Sequence, residues 1–145
     1  MTQITEETRQ QLIQTAMEYR HRAYIPYSHY AVGAAVLAAD GRIFGGCNVE
    51  NASYGASNCA ERTAIFKAVS EGMDRLLAIA VIGGPEGEEE QVSTEATPCG
   101  ICRQVIREFA DPETCEVIIA RSSTNYRVMT LGQLLPDSFG PENLG

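Results

Sequence analysis

The stretch Leu76-Leu77-Ala78-Ile79-Ala80-Val81-Ile82 contains no polar residue. Side chains of a strand point alternately to its two faces, so an unbroken apolar run of this length belongs to a strand covered on both sides. Such a strand needs one layer above it and another below. Ala31 to Ala38 is a second apolar run and reads as a neighbouring buried strand. Asp40-Gly41 is a hairpin-turn dipeptide, from which Arg42 to Val49 can return antiparallel. Gly45 and Gly46 weaken the returning strand and mark a bulge or a close backbone approach.

Helical patterns alternate with these strands. Thr5 is a cap residue, Glu6 and Glu7 suit a helix's positive end, and Leu12, Ile13, Ala16, Met17, Arg20, Ala23 and Tyr24 follow at helical spacing until Pro26. Cys59 to Gly72 is alanine-rich and closed by a glycine. Thr97-Pro98 is a cap and first-position pair for a third helix running through Phe109. Glu116 to Arg121 and Tyr126 to Met129 read as the last strands, and Thr130 caps a short helix that stops at Pro136. No internal repeat is present. The expectation is one α/β domain over residues 1–145, a three-layer α/β/α arrangement with a mixed five-stranded sheet. Gly83 to Ala96, which carries Glu86, Glu88, Glu89, Glu90 and Glu95, reads as a solvated, mobile insertion, with an acidic docking site as the alternative.

Charge narrows the function classes. Eleven Lys and Arg against 19 Asp and Glu leave a formal charge of −8, which repels polyphosphates and anionic membranes. No apolar stretch is long enough to span a bilayer, and Met1-Thr2-Gln3-Ile4-Thr5-Glu6-Glu7 lacks the basic flank of a signal peptide. A cytoplasmic protein is expected. Five cysteines in such a chain point to metal binding or burial rather than disulfides.

Cys99 and Cys102 stand at i, i+3 and share one helical face. C-x-x-C alone also serves redox pairs and structural zinc sites. Cys59, after the cap residue Asn58, adds a third thiol at another helix start. Zinc with three thiolates is net −1, so two helix N-termini, each about +0.5, offset the excess. Arg62 can do the same by hydrogen bonding to a thiolate. Three ligands leave a fourth position open, the catalytic arrangement, and Glu61 is the candidate base. Glu61 can alternatively complete a capping box with Asn58. Cys47 can alternatively be a fourth thiolate that closes the site into a structural one. Cys115 reads as a buried small side chain, and His21 and His29 as surface or packing residues.

Cys59-Ala60-Glu61-Arg62 followed by Pro98-Cys99-Gly100-Ile101-Cys102-Arg103-Gln104 resembles the zinc-dependent cytidine/deoxycytidylate deaminase family. The Cys₃ set with a non-ligand Glu and P-C-x-x-C is an already described signature of zinc deaminases, not a pairing that spacing alone yields. Pro26-Tyr27-Ser28 with Val32-Gly33-Ala34-Ala35, then Gly46-Cys47-Asn48-Val49-Glu50-Asn51-Ala52-Ser53-Tyr54, and finally Leu134-Leu135-Pro136 with Phe139 extend the likeness over nearly the whole chain. The resemblance implies that Cys59, Cys99 and Cys102 hold Zn²⁺ and that Glu61 shuttles protons between water, ring N3 and the leaving amine. It implies that Asn48 and Glu50 bind the ribose 3′-hydroxyl and that the Ala60 backbone meets the base. Phe139 would reach a neighbouring subunit's pyrimidine in a homotetramer with shared active sites. Tyr30 stands beside the base where the family usually has Phe, which adds a hydroxyl. The implied reaction is deamination of cytidine and 2′-deoxycytidine, with no nucleic acid or membrane partner. Deamination of another aminopyrimidine and a non-catalytic zinc-stabilised binding domain are the competing readings.

Overall fold

The computed structural model describes residues 4–145. The reading of the start of the chain therefore lies partly outside the described residues, at Met1 to Gln3. In chain order the elements are α1 (Glu6–Arg20), β1 (Tyr30–Ala38), β2 (Ile43–Cys47), α2 (Ala60–Ser70), β3 (Leu76–Pro85), α3 (Gly100–Phe109), β4 (Glu116–Ala120), β5 (Tyr126–Thr130) and α4 (Leu131–Leu134). The sheet has five strands in the order β2-β1-β3-β4-β5. Only β3 and β4 run parallel; the other three neighbouring pairs are antiparallel. A parallel pair needs a crossover, and α3 is that crossover.

The apolar run of β3 accounts for the layering. Ile79 and Val81 face a core built with Ala64, Ile65 and Ala68 of α2, Ile106 of α3 and Leu131 of α4. Ala78, Ala80 and Ile82 face the opposite core with Leu12, Ile13 and Ala16 of α1. The three-layer mixed sheet expected from sequence is the fold. Among the described residues no helix is long and apolar enough to cross a membrane.

Gly46 resolves the weak point of β2 as a close approach. A Cβ built there would lie 2.4 Å from the Ala64 backbone nitrogen and 2.9 Å from the Ala60 carbonyl oxygen. The first turn of α2 therefore rests directly on the β2 backbone.

Helix boundaries differ from expectation at the end of α1 and at the starts of α2 and α3. α1 stops at Arg20 rather than running to Pro26. Beyond it the Tyr24 N–H donates to the Asn48 carbonyl and the Glu50 N–H to the Tyr24 carbonyl, so a bridge to the chain after β2 replaces helical bonding. α3 begins at Gly100 with Cys99 as cap, not at Thr97-Pro98. Cys99 is extended (φ −69°, ψ 170°), while the Pro98 carbonyl accepts from Arg103 Nε at 2.7 Å.

The largest correction concerns residues 83–96, read as a solvated, mobile insertion: the tip is exposed, but both ends of the segment are packed. β3 continues to Pro85, and Val92 is fully buried with its N–H donating to the Arg121 carbonyl at 2.9 Å. The buried Arg20 guanidinium donates to the carbonyls of Ala31, Gly84, Pro85 and Glu88. Glu95 forms a two-pronged pair with Arg127, both contacts 2.9 Å. His21 and His29 are surface residues, paired with Glu89 at 3.7 Å and Glu86 at 3.0 Å.

Gly46→Ala forces two backbones apart, so it is expected to cost about 1–3 kcal/mol, read as a lower urea midpoint at unchanged slope. Parental stability in this variant would show that the contact between α2 and β2 is slack.

Candidate active site

The topology brings one set of termini to a single edge of the sheet. Tyr30 at the start of β1 pairs with Pro85 at the end of β3, and Asn48 follows directly after β2. The N-termini of α2 and α3 open at the same edge, capped by Cys59 and Cys99 respectively. α2 thus begins one residue later than a cap at Asn58 implies. Asn58 instead donates from Nδ2 to Thr63 Oγ1 at 3.1 Å, which leaves Cys59 extended (φ −76°, ψ 154°).

The three sulfurs expected as ligands converge. Sγ of Cys59, Cys99 and Cys102 all lie within 4.8 Å of one another, with 3.8 Å between Cys59 and Cys99. A tetrahedral ion with Zn–S bonds near 2.3 Å separates its sulfurs by about 3.8 Å, so the set fits zinc. Among the described residues this is the group of three or more His, Cys, Asp or Glu side chains able to hold a metal ion. Cys47 stands apart from it, its thiol directed to the Arg22 carbonyl at 3.4 Å. Cys115 is buried, and burial pushes its thiol up to about 12.

Positive charge gathers around the sulfurs. Arg62 Nη2 donates to Cys59 Sγ at 3.4 Å, while its buried Nε has no hydrogen-bond partner. A hydrogen bond from the Cys102 thiol, then those from Arg62 and Cys99, lower the Cys59 thiol to about 5, against the opposing effect of burial. Cys102 moves the other way, raised by that same pairing and by burial.

Glu61 is 4% exposed, in the first turn of α2. Burial, then the nearby Cys59 thiolate, push its carboxyl up to about 7, against its own backbone N–H and Arg62. It makes no capping bond to Asn58: with Cys59 as cap, the third helical position is Arg62. A carboxylate held dry without a capping duty is what proton transfer requires.

A cavity of about 390 Å³ is lined by Tyr30, Val32, Asn48, Cys59, Ala60, Glu61, Glu95, Ala96, Thr97 and Cys99. Cys102 is buried behind it. Asn48 is fixed to β1, accepting from the Val32 N–H and donating to the Tyr30 carbonyl, each at 2.9 Å. Glu50 lies instead in an adjoining depression with Tyr27, Ser28, Tyr54 and Ser57. There it accepts from the Ser28 hydroxyl and from the N–H groups of Tyr27 and Ser28, and the Ser28 hydroxyl leads in lowering its carboxyl. Phe139 is not brought to the cavity of its own chain and stands 56% exposed. Sequence reading missed Glu95, Ala96 and Thr97 as lining residues, because the first two belong to the segment taken for a mobile insertion and Thr97 was read as a helix cap.

A thiol triad able to bind a metal, set beside a buried carboxylate on an α/β sheet, is a donor set suited to an enzyme that activates water at a metal and moves protons. Residues 6–118 match the family of the cytidine and deoxycytidylate deaminase zinc-binding region. Over 135 residues the chain is 44% identical to a cytidine deaminase of Sporosarcina psychrophila, covering 93% of each protein. A crystal structure of the Burkholderia pseudomallei cytidine deaminase matches with a TM-score of 0.78 at 46% identity, covering 89% of this chain and 97% of that one. The Mycobacterium tuberculosis cytidine deaminase structure matches with 0.73 at 41% identity, covering 90% and 95%. The chain belongs to this family of deaminases.

The geometry predicts that Cys47→Ser keeps the parent's zinc content, whereas Cys99→Ser or Cys102→Ser loses it. Elemental analysis of purified variants decides. Zinc loss in Cys47→Ser would instead indicate a closed structural site.

Proposed function

We propose that this protein hydrolyses cytidine and 2′-deoxycytidine to uridine and 2′-deoxyuridine, releasing ammonia, as a cytoplasmic step of pyrimidine salvage. The observation that carries the reading is the buried Glu61 carboxyl in one cavity with the Cys59–Cys99–Cys102 cluster and the ring of Tyr30. The relatives bearing the name cytidine deaminase support it.

Cys59, Cys99 and Cys102 are the residues that would hold Zn²⁺. When bound, zinc supplies the Lewis acidity that makes water a nucleophile near neutral pH. Arg62 and the two helix starts hold the sulfurs ionised. Glu61 takes a proton from the attacking water and delivers it to ring N3 as the bond to C4 forms. It then takes the remaining proton of the C4 hydroxyl and passes it to the amine, so that the C4–N bond breaks, ammonia leaves and the C4 carbonyl forms. The Ala60 backbone meets the base. An Asn side chain has two donors and two acceptor sites, so Asn48, spending one of each on β1, keeps one of each for the 3′-hydroxyl. Glu50, pinned by Tyr27 and Ser28, is the second sugar contact.

The site is completed by a neighbouring chain in a homotetramer. Buried Arg107 bonds Ser138 Oγ at 2.8 Å and pairs with Glu142 through both carboxylate oxygens, while Gln104 Nε2 donates to the Phe139 carbonyl at 2.9 Å. The C-terminal segment is thus held against α3 while the Phe139 ring is presented outward, ready to stack on a partner's pyrimidine.

Glu61→Gln preserves size but cannot carry protons. It is expected to keep zinc and substrate binding and to lose at least about 10³-fold in kcat. Turnover within about tenfold of the parent, with normal zinc, would reduce Glu61 to a structural role. Phe139→Ala spares the partners of Arg107 and removes only the ring. It is expected to raise KM by about tenfold or more without changing association. A fully active monomer in sedimentation would overturn the shared site.

A further inference from the structure

Two features of the sequence are left over from the reaction: a hydroxyl on the aromatic residue beside the base, and the acidic segment after β3. The structure joins them. Tyr30 Oη lies 2.9 Å from Thr94 Oγ1 and 3.2 Å from the Gly83 carbonyl oxygen, and Thr94 Oγ1 donates to that same carbonyl at 2.8 Å. The two hydroxyls and the Gly83 carbonyl oxygen thus form one hydrogen-bonded cluster.

The segment on either side of Thr94 has no slack in its seat. A Cβ at Gly83 would meet Ala96 Cβ at 2.8 Å and Tyr30 Cε2 at 3.2 Å, and one at Gly84 would meet Val92 Cβ at 2.7 Å. The chain returning from the acidic tip therefore lies against two glycines at the end of β3. Only a strand without side chains there admits it. From that seat Glu95, Ala96 and Thr97 form part of the cavity lining. The Glu95 side chain is turned to Arg127 on β5, which ties the same segment to a second strand.

We propose that Tyr30 is a positioning residue whose hydroxyl, bonded to Thr94 and to the Gly83 carbonyl, fastens the Val92–Thr97 segment to the start of β1 and the end of β3 as a fixed wall of the substrate cavity. This rests on the cavity being the nucleoside site. The wall bounds the cavity on the side of Glu95, Ala96 and Thr97, so loosening it weakens binding rather than proton transfer. The sulfur cluster is anchored separately, because Arg103 holds the Pro98 carbonyl between the wall and Cys99.

The test compares Tyr30→Phe, Thr94→Val, the double variant and Thr94→Ser. Both of the first two delete the Tyr30–Thr94 bond, Thr94→Val removing the Thr94–Gly83 bond as well, and one hydrogen bond of this kind corresponds to about a three- to tenfold effect. KM for cytidine is expected to rise by about that factor in both, with kcat within about twofold and zinc content at the parent's level. The double variant is expected to be no worse than Thr94→Val, because the Tyr30–Thr94 bond is already absent there. Thr94→Ser retains the hydroxyl and is expected to restore the parent's KM. In parallel, a glutamyl-specific protease at Glu88 to Glu90 is expected to cut the two link-deleted variants severalfold faster than the parent or Thr94→Ser. KM within twofold of the parent, additive effects in the double variant, or unchanged cleavage would each overturn the proposal. A parent that does not deaminate cytidine would remove the reading of the site instead, and the cleavage comparison would then judge the wall alone.

Discussion

Three sulfur donors and a carboxylate cannot share a dry corner without positive charge around them. The fold answers with two helix starts aimed at one point and a guanidinium beside them. Each helix N-terminus contributes about half a charge, and Arg62 adds a full one beside the Cys59 sulfur. Cys59 and Cys99 occupy the caps themselves, in extended conformation, which turns their sulfurs toward each other rather than along their helices. Glu61, two residues into α2, shares that corner, and its raised carboxyl reflects the same desolvation that keeps the sulfurs close.

That convergence depends on how tightly the helices can approach the sheet. α2 meets β2 through Gly46, where backbone touches backbone, and α3 is tethered at its start by Arg103. The crossover that lets β4 lie parallel to β3 is the same α3 that carries Cys99 and Cys102. Topology and chemistry are thereby coupled: an element needed to close the sheet also supplies two of the three sulfurs. A cavity assembled from strand ends and helix starts holds its geometry with little dependence on any single loop.

The segment after β3 is the exception, and it shows how a loop can acquire the stiffness of an element. Its acidic tip is held by Arg20 through backbone carbonyls, and its return is held by Val92, the Tyr30–Thr94 pair and Glu95–Arg127. Several of its attachments come from residues far away in sequence. A reading of local composition sees five glutamates and reaches for solvent; the packed structure uses the intervening small and apolar residues as the anchor.

The sequence by itself determined the layering, the strand order of events along the chain and the chemistry at the two helix starts. An apolar run without a polar break can only be a strand with two covered faces, and Thr5 and Thr130 cap their helices through their own hydroxyls. These are local facts, set by periodicity and by side chains acting within a few residues of themselves. Tertiary structure decided the rest. That Cys47 stands apart while Cys59, Cys99 and Cys102 meet, that Glu61 is buried rather than capping, and that α1 ends early are matters of distant partners. So is the conversion of residues 83–96 from apparent loop to cavity wall. Each turns on contacts between residues tens of positions apart, whose free energy arises only once the sheet has brought strand ends, helix starts and arginines to one edge.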